Sequence, residues 1–324
     1  MPPVADSIPM DSRNLAASLT PELVKACDNQ LHNVSWFRTD WQRGGAATAT
    51  ADVIDPDGIT RRAVVKLPVV VRELIWTKRL SGQSGDTEPC TPAVYFCGEE
   101  LGGYDLAWLV LEHLDYGPLA LHWTDDCIQR IAEAAASFYV AANHFPVDQA
   151  PPAEDWRAEV KVAQKKLADH NIPDKGRWKK ALKKFASRLD DFVSEWEARR
   201  VDEWIHGDLH PANAMCRADG PKVPVCLIDL AEIRPGHWIE DAIYLERLLW
   251  ARPERLKSST MKPVKALATA RRRRGLSVDD DYQRLAMIRR ALLAGTSIGF
   301  LKSEGSPKHL ATSLEWLERS LAEI

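Results

Sequence analysis

No apolar run in this 324-residue chain approaches the ~18 residues a membrane-spanning helix needs. The longest, 63–71 and 106–114, are short and carry charged residues. The six cysteines (27, 90, 97, 127, 216 and 226) form no C-x-x-C pair. In a chain of this length they read as reduced, mostly buried thiols of a cytoplasmic protein. An excess of one charge is also missing: 43 Lys and Arg against 46 Asp and Glu leave −3, which gives no overall attraction to nucleic acid or anionic membrane. There is no internal repeat and no low-complexity tract. The opening 18 residues lack a basic n-region followed by an apolar h-region, so no signal peptide is expected. What is present, 45% apolar and 27% charged residues, is the composition of a globular protein. At roughly 150 residues per domain the length suggests two domains or lobes. The 12 tryptophans are read as packing residues.

The pattern changes character along the chain. Thr20-Pro21-Glu22 is a helix start, with Pro at the first helical position. Strands are expected at 34–41, 47–54 and 60–67. Gly44-Gly45 joins the first two, and the strong turn Asp55-Pro56-Asp57-Gly58 precedes the third. A short helix at 72–80 and strands at 94–97 and 107–114 complete a small sheet with one helix. After Gly117-Pro118 the chain turns helical. Thr124 caps a helix to about Asn143, and Trp178, Leu182, Phe185, Leu189, Phe192 and Trp196 form one helical stripe, read as core packing. Short strands at 214–217 and 223–228 flank Asp219-Gly220 as a hairpin. From Asp241 onward the chain is helical, interrupted at Pro253, Pro263, Gly275 and Pro307. The expected plan is α+β: a small β-rich unit over 1–115 (with an N-terminal helix) and a larger helical unit over 116–324.

The most informative segment is Ile205-His206-Gly207-Asp208-Leu209-His210-Pro211-Ala212-Asn213. Gly207 and Pro211 keep it from being helical, so it is a loop that presents Asp208 and Asn213. An apolar strand then ends in Asp229, within Val225-Cys226-Leu227-Ile228-Asp229. Two oxygen ligands, Asn213 and Asp229, suit Mg²⁺, which keeps several waters and takes its remaining ligands from phosphates. Asp208 is left to accept a proton from a hydroxyl.

This series, H-G-D-L-H-P-x-N, then an apolar strand ending in I-D, then Gly236-His237-Trp238-Ile239-Glu240-Asp241, resembles the aminoglycoside phosphotransferase and choline kinase family. The resemblance covers about residues 34–250. It implies a protein-kinase-like bilobal fold and transfer of the γ-phosphate of ATP, with Mg²⁺, to a hydroxyl of a small molecule such as a sugar, an amino alcohol or an aminoglycoside-like compound. It implies Asp208 as catalytic base, Asn213 and Asp229 as metal ligands, and His206 and Asp241 as supports of the catalytic loop. Upstream, Lys66 in the strand Ala63-Val64-Val65-Lys66-Leu67 is placed to reach the α- and β-phosphates. Glu73 is the only acidic residue between it and Asp86, although seven residues is a short spacing for the family. Gly44 and Gly45, in Arg43-Gly44-Gly45-Ala46-Ala47-Thr48, occupy the place of a phosphate loop but serve equally as a hairpin turn. By resemblance the carbonyl of Glu112 and the N–H of Leu114 bind the adenine edge, which leaves side-chain identity there nearly silent.

Rival readings are weaker. His206 and His210 are spaced i,i+4, but Gly207 and Pro211 deny them the helix of a zinc hydrolase. A protein kinase would carry Lys where His210 stands, and the eleven residues between Asp229 and Asp241 leave no room for an activation segment. A non-catalytic nucleotide-binding regulatory protein, or a nucleic-acid-binding one, is suggested only by Arg271-Arg272-Arg273-Arg274, which reads better as a solvated helix end. From Asp241 to Ile324, 16 Lys and Arg face 10 Asp and Glu, leaving −9 for residues 1–240. A basic C-terminal part is an unpromising lining for an aminoglycoside. The tryptophans near the motif, Trp204, Trp238 and Trp250, could stack on a sugar or a quaternary amine, with core packing the preferred use. The expected partner is a small hydroxyl acceptor, with neither nucleic acid nor membrane.

Overall fold

The computed structural model describes residues 16–38, 46–81 and 89–323. In chain order the elements are α1 (Thr20–Ala26), β1 (Leu31–Arg38), β2 (Ala47–Ile54), β3 (Thr60–Leu67), α2 (Val71–Ser81), β4 (Val94–Gly98), β5 (Trp108–Glu112) and α3 (Cys127–Ala142). Then come α4 (Trp156–Asp169), α5 (Lys175–Ala186), α6 (Leu189–Glu197), β6 (Glu203–Ile205), β7 (Ala214–Cys216), β8 (Val225–Leu227), β9 (Arg234–Gly236) and α7 (Trp238–Leu248). The chain closes with α8 (Pro253–Ser258), α9 (Pro263–Arg273), α10 (Tyr282–Thr296), α11 (Leu301–Glu304) and α12 (Pro307–Glu323). These form two compact units, Met1–Tyr116 with Met215–Glu232, and Gly117–Ala214 with Ile233–Ile324. The first unit is therefore built from two separate stretches of chain.

In the first unit five antiparallel strands lie in the order β1-β2-β3-β5-β4. β2 alternates buried and half-buried residues along its whole length, the signature of a sheet with one face packed. Its Ala47, Ala49, Ala51 and Val53 join Ala63, Val65 and Leu67 of β3 in a core that also takes Leu23 of α1. The period of two therefore turns Lys66 to the opposite face from that core. The β2–β3 turn is held by Asp55, whose Oδ1 accepts the N–H groups of Asp57 and Ile59 at 3.1 and 2.9 Å, while Gly58 takes φ 78°. In the returning stretch, the Leu227 N–H donates to the Cys90 carbonyl at 2.7 Å and Cys216 exchanges backbone bonds with Tyr116.

The second unit is helical. Prolines 253, 263 and 307 each begin a helix, where their missing N–H costs nothing, and Gly275 follows α9 at φ 70°. α10 is its centre, packed by α4, α6, α7 and α12. The stripe from Trp178 to Trp196 is buried throughout but belongs to two helices, α5 and α6, separated at Ser187-Arg188. The period of the stripe runs through the break because both helices press the same side onto the core, so periodicity alone could not reveal the interruption. The helix expected from Thr124 starts later: its N-cap is Asp126, and the Thr124 hydroxyl bonds the Asp126 carboxylate at 2.5 Å. The arginine run is not solvated at its first member. Arg271 is 1% exposed and paired with Glu203 at 2.8 Å, whereas Arg272, Arg273 and Arg274 are exposed. Trp204, Trp238 and Trp250 are all buried, which makes them core and leaves no face for a ligand.

Candidate active site

In the first unit Lys66, Glu73 and Asp229 come together. β3 ends at Leu67 and α2 begins at Val71, so Glu73 falls in the first helical turn and meets Lys66 despite the short spacing. The Lys66 ammonium ion-pairs with the Glu73 carboxylate and lies 3.5 Å from Oδ1 of Asp229. Burial alone would lower the pKa of Lys66, but Glu73 and Asp229 outweigh it and hold the ammonium above its usual range. Burial pushes the Glu73 carboxyl up, and Lys66 pulls it back only in part. The two carboxylates differ in access: the Glu73 side chain is 6% exposed and that of Asp229 46%. Glu73 anchors the lysine, and Asp229, at φ 64°, offers oxygen to solvent.

Glu112 ends β5, and its side chain is not silent. Its carboxylate takes two hydrogen bonds from Arg217, at 2.7 and 2.8 Å, and one from the Ala93 N–H at 3.1 Å. This bidentate pair fixes the strand end beside Leu114, which is buried. Gly44 and Gly45 lie outside the described residues.

In the second unit the loop from His206 to Asn213 is held by one carboxylate. Asp241, fully buried in the first turn of α7, accepts the N–H groups of His206 and Gly207 at 2.9 Å each and the Tyr139 hydroxyl at 2.9 Å. Gly207 takes φ 80°, a conformation a side chain would strain. Buried His206 accepts the Asp208 N–H on Nδ1 at 3.3 Å. His210 caps the turn at Pro211–Asn213: its Nδ1 accepts the Ala212 N–H at 3.1 Å, so in the neutral ring Nε2 carries the proton that faces Asp208 at 3.4 Å. Asn213 donates through its amide nitrogen to the Asp208 carboxylate at 2.9 Å and carbonyl at 3.1 Å. Its Oδ1 is thereby the one atom of that amide suited to a metal.

Burial would raise the Asp208 pKa. Hydrogen bonds from His210 and Tyr244, with the positive potential of His210 and His206, win and bring it down to about 2. Asp208 is thus ionised at neutral pH and surrounded by donors, an arrangement that can orient a hydroxyl. Asn213 and Asp229 both offer hard oxygen, which fits Mg²⁺. Among the described residues no three His, Cys, Asp or Glu side chains converge on a metal position.

Sequence reasoning missed Arg217, Tyr139 and Tyr244. Tyr244 stands three residues after Asp241 on α7, and that helical spacing was a usable signal. Nothing local points to Arg217 or Tyr139, whose partners are 105 and 102 residues distant.

The sequence pattern of the phosphotransferase enzyme family matches residues 36–288, well over half the chain. The chain belongs to that family. This phosphotransferase shares its fold with an aminoglycoside phosphotransferase from Alicyclobacillus acidocaldarius, at 17% identity over 92% of this chain and 93% of that one, with a TM-score of 0.56. A choline/ethanolamine kinase family protein from Mesorhizobium loti superposes with a TM-score of 0.55, at 12% identity over 97% and 96% of the two chains. The amicoumacin kinase hAmiN, solved with AMP-PNP and Ca²⁺, gives 0.52 at 13% identity over 96% of each chain. At these identities the likeness shows the fold, which is protein-kinase-like. No curated protein matches the sequence.

Proposed function

We propose that this phosphotransferase is a cytoplasmic small-molecule kinase that uses ATP and Mg²⁺ to phosphorylate a hydroxyl group. The observation that carries the reading is the Lys66 ammonium held by a buried Glu73 and shared with an exposed Asp229. A strand lysine oriented by one carboxylate and adjoining a solvent-facing one is what nucleotide phosphates with a divalent cation require: a fixed positive charge for the phosphates and an anionic oxygen for the metal. Asp229 and, by resemblance, Asn213 are the ligands. Bound there, Mg²⁺ supplies neutralisation of phosphate charge. The backbone at Glu112 and Leu114 takes the base edge, with the Arg217–Glu112 pair keeping that strand end in place, and Gly44 and Gly45 serve the phosphate loop. The two parts of the chain, 1–115 and 116–324, act as nucleotide lobe and catalytic lobe.

Asp208 positions the acceptor O–H through its carboxylate. The acceptor oxygen forms a bond to the γ-phosphorus as the bond to the β–γ bridging oxygen breaks, ADP leaves, and the acceptor proton passes to Asp208 and on to solvent. A carboxylate with a pKa of about 2 is a weak base, so the proton moves late and the main work is orientation. Asp241 and His206 keep the loop in this form. The test is calorimetry. Wild type should bind Mg-ATP, and folded Asp229→Ala should lose that metal-dependent binding; unchanged affinity in the variant would refute the role of Asp229.

A further inference from the structure

A cavity of about 220 Å³ opens beside the Asp208 loop, entirely within the second unit. Gly207 and Tyr244 line it, and Tyr244 also hydrogen-bonds Asp208. Its volume exceeds the roughly 150 Å³ that admits benzene, so one ring with substituents fits within it. Its charge is close to balanced. Four carboxylates (Glu154, Glu159, Glu240 and Asp241) and three guanidiniums (Arg234, Arg247 and Arg289) line the wall. Arg199 adds a fourth guanidinium by pairing with Glu240 at 2.9 Å. Most of these groups are spent on one another: Arg234 holds Glu240 at 2.8 Å, and Arg289 holds Glu154 at 2.7 Å.

Two are not fully spent. The Glu159 carboxylate makes no ion pair or hydrogen bond among the described residues, although Arg289 and Arg247 are near enough to act on its charge. Arg289 is 7% exposed, and its Nε–H is buried with no hydrogen-bond partner among the described residues. An acceptor carboxylate thus stands unused among the lining groups, with Trp156 and Phe300 supplying aromatic surface. A polycation would need an excess of acid and a sugar acid an excess of arginine. A hydroxyl-rich neutral ring both donates and accepts, and its C–H faces suit aromatic side chains.

We propose that this cavity is the acceptor site and that the acceptor is a neutral single-ring polyol of monosaccharide size, with a ring hydroxyl donating to Glu159. This rests on the kinase reading above, so Mg-ATP binding is measured first by calorimetry. Its absence would count against that reading itself. With Mg-ATP bound, ADP formation is followed for the full chain with three sets of probes: neutral (monosaccharides, methyl glycosides, myo-inositol), polycationic (2-deoxystreptamine, neamine) and anionic (glucuronate, galacturonate). The best kcat/KM should belong to a neutral ring. For that acceptor Glu159→Ala should raise KM about tenfold, the worth of one hydrogen bond to a charged group. Glu159→Gln should recover most of the loss, because its Oε1 still accepts from a hydroxyl. Phe300→Ala should also raise the acceptor KM, and in all three variants the KM for ATP should stay within about twofold. The proposal is overturned if a polycation or sugar acid is the best acceptor, if a nucleotide-binding protein turns over no neutral ring, or if Glu159→Ala leaves KM unchanged. It is equally overturned if Glu159→Gln is as damaging as Ala, since that pattern belongs to a bound ammonium.

Discussion

Arg271→Ala should be among the most damaging single substitutions outside the active site, and the structure sets its size. The guanidinium gives Nη1 to Glu203 at 2.8 Å and Nε and Nη2 to the Ser277 carbonyl at 3.0 and 2.9 Å. It lies between the rings of Tyr139 and Trp238, 5.1 and 5.4 Å from their centres. Glu203, 6% exposed, also accepts the Trp238 N–H at 3.1 Å and cannot turn to water without breaking that bond. Removing Arg271 leaves this carboxylate buried and uncompensated, a change that costs about 3–5 kcal/mol. The lost contacts with two rings push the value toward the upper end.

Urea unfolding followed by tryptophan fluorescence reads the change, with Arg274→Ala as the exposed control expected within about 0.5 kcal/mol of wild type. Adding Glu203→Gln to Arg271→Ala should recover part of the loss, because the stranded charge is then gone. The pH dependence has a definite sign. Burial already pushes the Glu203 carboxyl up and Arg271 holds it back. Without Arg271 its folded pKa rises further above the unfolded value, so the folded state gains protons first and the penalty shrinks as pH falls. A loss from Arg271→Ala no larger than that of the Arg274 control, or one that grows on acidification, would refute the buried-clamp argument.

Asp208→Asn should keep folding and Mg-ATP binding yet lose on the order of 10²–10⁴ in turnover; near-normal kcat would reduce Asp208 to a loop-shaping residue. Because its pKa is held at about 2, below the ordinary carboxylate value, Asp208 contributes stability that is present above the unfolded pKa and lost only as pH falls toward 2. Its carboxyl, followed by carbon NMR, should stay ionised above about pH 4, and a titration at higher pH would contradict the cage of donors around Asp208. Gly295→Ala should destabilise by about 1–3 kcal/mol, since the new Cβ would collide with the Phe185 ring in the core, and an unchanged urea midpoint would show that the ring yields freely.

The sequence by itself determined whatever depends on neighbours in the chain. β2 and β3 were legible to the residue at both ends, because alternation with period two and the Asp55–Gly58 turn are local signals. The Asp208–Asn213 loop was legible for the same reason: Gly207 at φ 80° and Pro211 at the start of a turn act through their own backbone. The order of β-rich and helical parts followed from the same patterns. Only the tertiary structure decided which charges are paired and which are left over. Arg217 and Glu112 are 105 residues apart, and Arg271 and Glu203 are 68 apart. Composition cannot distinguish a buried arginine from the three solvated ones beside it, because burial depends on what another helix brings against that face. The division of one apolar stripe into α5 and α6 was hidden too, since both helices turn the same side inward. The balance of carboxylate and guanidinium around the cavity is likewise a property of the fold: its residues come from four separate stretches of chain, and their net charge exists only where those stretches meet.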